Sequence, residues 1–209
     1  MFYEPHKRDK SILPHDPFKA IVAPRPIGWI TSMSLKGEVN CAPYSYFNGV
    51  NSCPNLVMFA SEGCKDSVSF IEETGEFVCN LATWDLREAM NATSAPLPRG
   101  ANEMEHAGLE PAPSRLVKPP RVKAAPCALE CKRLKIVTMN DFDGKPLDCH
   151  VVFGRPGRRR AYRRPLYRRW PARHRDHAAN RPLRLRPICR GRKRVCDVAT
   201  GELIQFCGI

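Results

Sequence analysis

Between Ala20 and Gly154, apolar and polar positions change over in short blocks rather than in long helical stripes. Ala20–Ile30, rich in Ile, Val and Pro, opens the series as a strand-like stretch. Leu35-Lys36-Gly37 reads as a hairpin turn before a second strand near Val39–Phe47. Leu56–Ala60 (LVMFA) has the length of a buried strand. Asp66 is placed to cap a short helix over Ser67–Glu73, and Gly75 to stop it. In Phe77–Leu81, residues Phe77, Cys79 and Leu81 alternate with Val78 and Asn80, as a strand requires.

Asp85 and Glu88 have the spacing of a capping box for a helix running toward Asn91. Glu103–Ala107 predicts a helical turn ended by Gly108. Residues 109–126 are Pro-rich and predict a loop packed over the strands. Cys127–Val137 and Leu147–Phe153 predict two further strands, with Asp143-Gly144 as a tight turn between them. Many short strands and few helices predict a mainly β fold, an antiparallel barrel.

That patterning stops at Arg155. The segment GRRRAYRRPLYRRWPARHRDH has neither apolar periodicity, predicts an irregular or disordered tail, and cannot continue a barrel. The charge divides at the same place. The chain has 209 residues and a net charge of +13. Residues 1–154 hold 17 Lys and Arg against 18 Asp and Glu, whereas residues 155–209 hold 17 against 3. Any affinity for polyanions therefore belongs to the last quarter of the chain.

Of the remaining composition, the hydrophobic fraction of 43% suits a globular protein with a real core. There is no run of about 18 apolar residues and no apolar signal-peptide core, which predicts a cytoplasmic protein. The ten cysteines are irregularly spaced without a CxxC pair, so reduced thiols are expected and no metal site is. The six histidines are scattered, and neither a Walker loop nor a GxGxxG fingerprint occurs.

Several segments together resemble a known family. They are APRPIGWITSMSLKGEVNCAPYSYFNGV, GCKDSVSFIEETGEFVCNLAT, MNATS, EMEHAGLEP and ALEC, in that order from about Ala20 to Gly154. This succession is similar to the flavin reductase-like, FMN-binding split-barrel proteins. The resemblance implies a Greek-key-like split β-barrel and a homodimer with FMN in a groove at the subunit interface. It also implies NADH or NADPH as a transient electron donor, with hydride transfer through FMN. A monooxygenase receiving reduced flavin is a further implied partner.

The resemblance divides the chain into residues 1–154, a split barrel lacking its last strands, and residues 155–209, an Arg-rich tail foreign to the family. With free choice of synonymous codons, Ala161–Leu203 read one base later permits a strand- and helix-patterned peptide followed by a stop. The tail is accordingly expected to be out-of-frame sequence.

FMN needs cations and N–H or O–H donors for its phosphate, and backbone donors along a flat polar ring. Three segments offer these groups. In the first, Thr31 and Ser32 supply hydroxyls at a strand end. Arg25 suits a phosphate or a negatively charged reduced ring, and Trp29 lies between them. The plain alternative is that Trp29 is core and Thr31 an ordinary strand residue.

In the second, Asn40, Ala42, Pro43, Tyr44 and Ser45 combine small residues, which let a ring approach the backbone, with polar groups for its edge. The resemblance places this segment against the isoalloxazine. A strand with a Pro-induced bulge is the alternative. In the third, Ser61, Lys65, Asp66 and Ser67 bring a cation and hydroxyls to a helix N-terminus, an anion site by its nature. Simple capping by Asp66 with a solvated Lys65 is the alternative there.

Two other function classes remain open at this stage. One is a flavin-binding protein without turnover. The other is a nucleic-acid binder gripping phosphates through the Arg-rich tail, with Tyr162, Tyr167 and Trp170 for stacking.

Overall fold

The computed structural model describes residues 7–15, 17–157 and 161–162. Nearly all of the Arg-rich tail, and with it the expected irregular structure there, lies outside the described residues. The elements run in the order α1 (Phe18–Ile21), β1 (Gly28–Met33), β2 (Val39–Tyr44), β3 (Phe47–Ser52), β4 (Asn55–Glu62), α2 (Asp66–Thr74) and β5 (Glu76–Asn80). A 3-10 turn (Trp84–Leu86) leads into α3 (Arg87–Ala92) and α4 (Glu103–His106). The short strands β6 (Pro111–Ala112) and β7 (Arg121–Val122) precede the long β8 (Cys127–Asn140) and β9 (Pro146–Pro156), and β10 (Ala161–Tyr162) follows. No described helix is long and apolar enough to cross a membrane.

The fold is mainly β. The strands follow the order β2-β1-β5-β8-β9-β4-β3, with β10 beside β8. Every pairing in this sheet is antiparallel. Its two edges, β2 and β3, are consecutive in the chain and joined by Ser45-Tyr46 alone. Three residue steps reach about 11 Å at most. The edges must therefore meet at that corner, and the sheet curls into a split barrel. The Ala60 N–H, donating to the Tyr46 carbonyl at 2.8 Å, ties the corner to β4.

Inside the curl lie Ile30, Tyr44, Val57, Phe59, Phe77, Cys79, Cys131 and Val152, closed by Val68 and Ile71 from α2. Tyr44, Phe59 and Phe77 form a ladder of rings, with centroids 4.6 and 5.8 Å apart. The outer face of β1 and β2 is covered too. Trp29 and Cys41 pack there with Met90, Met104, Leu109, Val122 and Ala125. Five of the six β1 residues are consequently buried, and its period-two signal is lost.

Four local expectations are corrected. The stretch from Ala20 is strand only from Gly28 onward, because a short helical turn and Pro24 and Pro26 precede it. The strand expected near Val39–Phe47 breaks at Ser45-Tyr46, where the chain passes from one sheet edge to the other. Asp66 does not cap α2. Lys65 is the capping residue, and the Asp66 carboxylate instead accepts from the Gly100 N–H at 3.3 Å. The Asp85–Glu88 capping box is also missing, because a 3-10 turn starts there and no side chain caps it.

Gly75 ends α2 at φ 70°, a left-handed conformation that favours glycine. Gly144 turns the β8–β9 hairpin at φ 79°. The Pro-rich 109–126 stretch lies over the barrel as expected, held by Val122, whose N–H donates to Asn80 Oδ1 at 2.8 Å. The seven described cysteines are free thiols.

Candidate functional site

Where the two sheet edges meet, the first turn of α2 and the 93–99 loop leave an open cleft of about 590 Å³ between them. One wall is strand β2 and the corner after it, with Asn40, Ala42, Pro43, Tyr44, Ser45 and Tyr46. A second wall is the start of α2, with Lys65, Asp66 and Ser67. The 93–97 segment, Arg99 and Glu103 complete it, with Lys19 and Glu62 at the rim.

Eight of the thirteen residues singled out from the sequence come together here: Asn40, Ala42, Pro43, Tyr44, Ser45, Lys65, Asp66 and Ser67. The other five stand apart from the lining. Trp29 is fully buried on the outer face of β1, and its indole N–H donates to Thr93 Oγ1 at 3.0 Å. Thr31 is buried and accepts from Asn80 Nδ2 at 2.6 Å. Ser32 is buried, with its hydroxyl unpartnered among the described residues. The Arg25 guanidinium is 5% exposed and donates to the Lys19 and Val22 carbonyls, tying down the segment before β1. Ser61 lies beside the lining residues Ala60 and Glu62, with its hydroxyl donating to the Gly63 carbonyl at 2.8 Å.

The cations of the cleft differ in how far they are already engaged. Lys19 faces Glu62 at 3.9 Å. Arg99 lies 3.7 Å from Asp66 and donates to Ser69 Oγ at 2.7 Å. Lys65 is exposed, and its ammonium group has no hydrogen-bond or ion-pair partner among the described residues. Its charge stands at the N-terminal end of α2, where the helix dipole is positive and first-turn N–H groups lack helical acceptors. An anion is favoured at this end of the cleft.

The floor is a hydrogen-bonded network. The Ser67 hydroxyl donates to Asn40 Oδ1. Asn40 Nδ2 donates to Glu103 Oε1 at 2.9 Å, and the Cys41 N–H donates to Glu103 Oε2 at 2.9 Å. Burial pushes the Glu103 carboxyl above its ordinary pKa, with Asp66 adding to the effect; the N–H bonds it accepts act against the shift. Burial also pushes the Tyr44 phenol up, opposed by its hydrogen bonds with Ser67 and Ser61. The Cys41 thiol is raised by burial and by the Glu103 charge, which makes it a packing group rather than a nucleophile.

Glu103, Arg99 and the 93–97 segment escaped the sequence reading as site residues. Glu103 and Thr93 sit inside EMEHAGLEP and MNATS, the stretches that carried the resemblance, but no local pattern says that they converge on β2. Arg99 follows a Pro-rich loop and has no motif of its own.

The cleft lies within the part of the chain that comparisons cover. Residues 22–157 match the model of the flavin reductase like domain. An uncharacterized protein of Aquifex aeolicus (strain VF5) is 40% identical over 139 residues, spanning 64% of this chain and 67% of that one. The chain spans 57–67% of the length of the first curated relatives it matches.

Among solved structures, nitrilotriacetate monooxygenase component B from Bacillus cereus superposes with a TM-score of 0.71 at 29% identity, covering 80% of this chain and 83% of that one. The 2-nitrobenzoate 2-nitroreductase NbaA of Pseudomonas fluorescens gives a TM-score of 0.66 at 30% identity, covering 79% and 78%.

Proposed function

The chain belongs to the flavin reductase-like family, and from that premise we propose that it is an FMN-binding oxidoreductase whose cofactor lies in the β2–α2 cleft. The carrying observation is the pairing, in one cleft of about 590 Å³, of a wall of small residues with an unpaired cation at a helix N-terminus. The volume falls in the range of small-molecule sites. The chemistry of the donor set suits FMN, with a polar edge at one end and an anion-attracting helix terminus at the other.

In this reading Lys65 and the first-turn N–H groups of α2 hold the phosphate, and Arg99 flanks it. Ala42 and Pro43 give the ring close access to the backbone of β2. Ser45, Asn40 and Ser67 serve its polar edge. Bound flavin supplies hydride acceptance and release. The protein's own share is to orient the ring on a rigid strand and to keep an open face toward an electron donor. NADH or NADPH is the donor proposed, approaching transiently through the cleft mouth.

The likeness to a monooxygenase component supports delivery of reduced flavin to a partner oxygenase. The likeness to a nitroreductase supports direct reduction of a small acceptor. A homodimer belongs to the same reading, supported by Leu134, Met139, Phe142 and Leu147, all exposed on the projecting β8–β9 hairpin.

The test is the absorbance spectrum of the purified protein with FMN from about 300 to 550 nm, followed by anaerobic NADH or NADPH, with light scattering for mass. Flavin bands that bleach are expected. Bands that persist leave a flavin holder without turnover, and a protein that retains no FMN removes the reading.

A further inference from the structure

Glu103 reaches the cleft floor from α4 and is 7% exposed. An ionised carboxylate offers lone pairs only. Facing Glu103, Asn40 must therefore turn Nδ2 toward it and Oδ1 away from it. Oδ1 meets Ser67 and takes that hydroxyl's only proton. The Ser61 proton is committed as well, to the Gly63 carbonyl. A hydrogen-bond chain thus runs one way, from Ser67 through Asn40 to Glu103. Its direction is set at the Glu103 end.

We propose that Glu103 is a positioning residue that, as an acceptor-only group, fixes the direction of this chain. The cleft floor then presents Ser67 to a ligand as an oxygen lone pair rather than as an O–H donor. The ligand class selected is a flat heterocycle with an N–H group on the edge that meets the floor. This inference rests on the reading of the cleft as a flavin site.

The converse case shows why the charge matters and not only the shape. A glutamine at this position keeps the size and can still accept the Cys41 N–H. Its amide N–H₂ then confronts the Asn40 N–H₂, and Asn40 must turn over. The Asn40 amide would point at Ser67, and the freed Ser67 proton would point into the cleft. An acceptor site would become a donor site with almost no change in volume. Pairing Glu103→Gln with Asn40→Asp restores the direction. The introduced aspartate accepts from both Ser67 and the introduced glutamine, while the glutamine carbonyl keeps the Cys41 N–H.

Two measurements on the full-length chain test the inference, with thermal melts to confirm folding. The first uses no flavin. The Asn40 side-chain amide protons are followed by NMR in protein labelled with ¹⁵N-asparagine. A downfield proton bonded to the carboxylate is expected in the wild type and is lost in Glu103→Gln; an unchanged pair overturns the inference.

The second is FMN affinity by fluorescence quenching. Glu103→Gln is expected to weaken binding about tenfold, the scale of one hydrogen bond to a charged group. Glu103→Gln with Asn40→Asp is expected to return to within about threefold of wild type. Full affinity in the single variant, or no rescue in the double, overturns the inference. If Glu103→Gln does not fold, the double variant, which keeps every bond, decides by the same criterion. A wild-type chain that binds no FMN sinks the flavin reading separately, while the Asn40 spectrum still decides the direction of the chain.

Discussion

Single atoms decide how closely the barrel closes. A Cβ built on Gly154 would lie 2.2 Å from Phe77 Cζ, and Phe77 is fully buried with Phe59 against it. Neither ring has room to withdraw. Gly154→Ala is expected to destabilise the protein by about 1–3 kcal/mol, the usual cost of overpacking a filled core, read as a lower Tm and a lower urea midpoint at unchanged slope. The same substitution at Gly28 meets the Phe47 ring at 2.5 Å, but Phe47 is only half-buried and can swing outward. A smaller loss is expected there, and a loss equal to that of Gly154→Ala would show that Phe47 is as immobile as Phe77. Neither glycine is in a left-handed conformation, so the effect belongs to packing and not to backbone strain. Nothing in the residues around Gly154 distinguishes it from a turn glycine. Its reason lies across the barrel, on β5.

The elements explain why the cleft faces α2. Helix α2 packs Val68 and Ile71 into the barrel, which leaves its first turn at the mouth beside Asn40 and Tyr44. The helix was legible from Gly75 and from the spacing of its apolar residues. The use of Asp66 was not, because its partners Arg99 and Gly100 are more than thirty residues away. The capping position passes to Lys65, and that puts a free cation at the positive end of a helix. Lys65→Met is expected to weaken FMN binding about tenfold or more while leaving riboflavin, which lacks the phosphate, within about twofold of wild type. The comparison is a pair of quenching titrations at low and moderate salt. Equal losses for the two ligands would place the phosphate elsewhere. The strand break at Ser45-Tyr46 belongs to this scale too. Local propensity runs on through Phe47, but β2 and β3 lie on opposite edges, and the chain must turn between them.

Across the whole molecule, charge and fold are segregated. Residues 1–154 are almost neutral, while residues 155–209 carry all of the excess positive charge. Heparin affinity is expected to fall steeply with salt and to vanish when the chain is ended after Gly157, as counterion release by clustered Arg requires. Retention that survives the truncation would move the polyanion site onto the barrel. The sequence by itself determined the mainly β class, the position of most strands, the helix stop at Gly75, the hairpin at Asp143-Gly144 and the residues of two cleft walls. All of these depend on neighbours a few positions away, through periodicity, turn conformation and side-chain size. Only the tertiary structure decided that Trp29 and Thr31 face away from the cleft, that Arg25 anchors a loop, and that Glu103 arrives beneath Asn40. The outcomes at Trp29, Thr31 and Glu103 follow from the curling of the sheet, which brings together groups some fifty to sixty-four residues apart and buries both faces of β1, so that alternation along the chain no longer says which side chain meets which, whereas Arg25 is held by the nearby Lys19 and Val22 carbonyls.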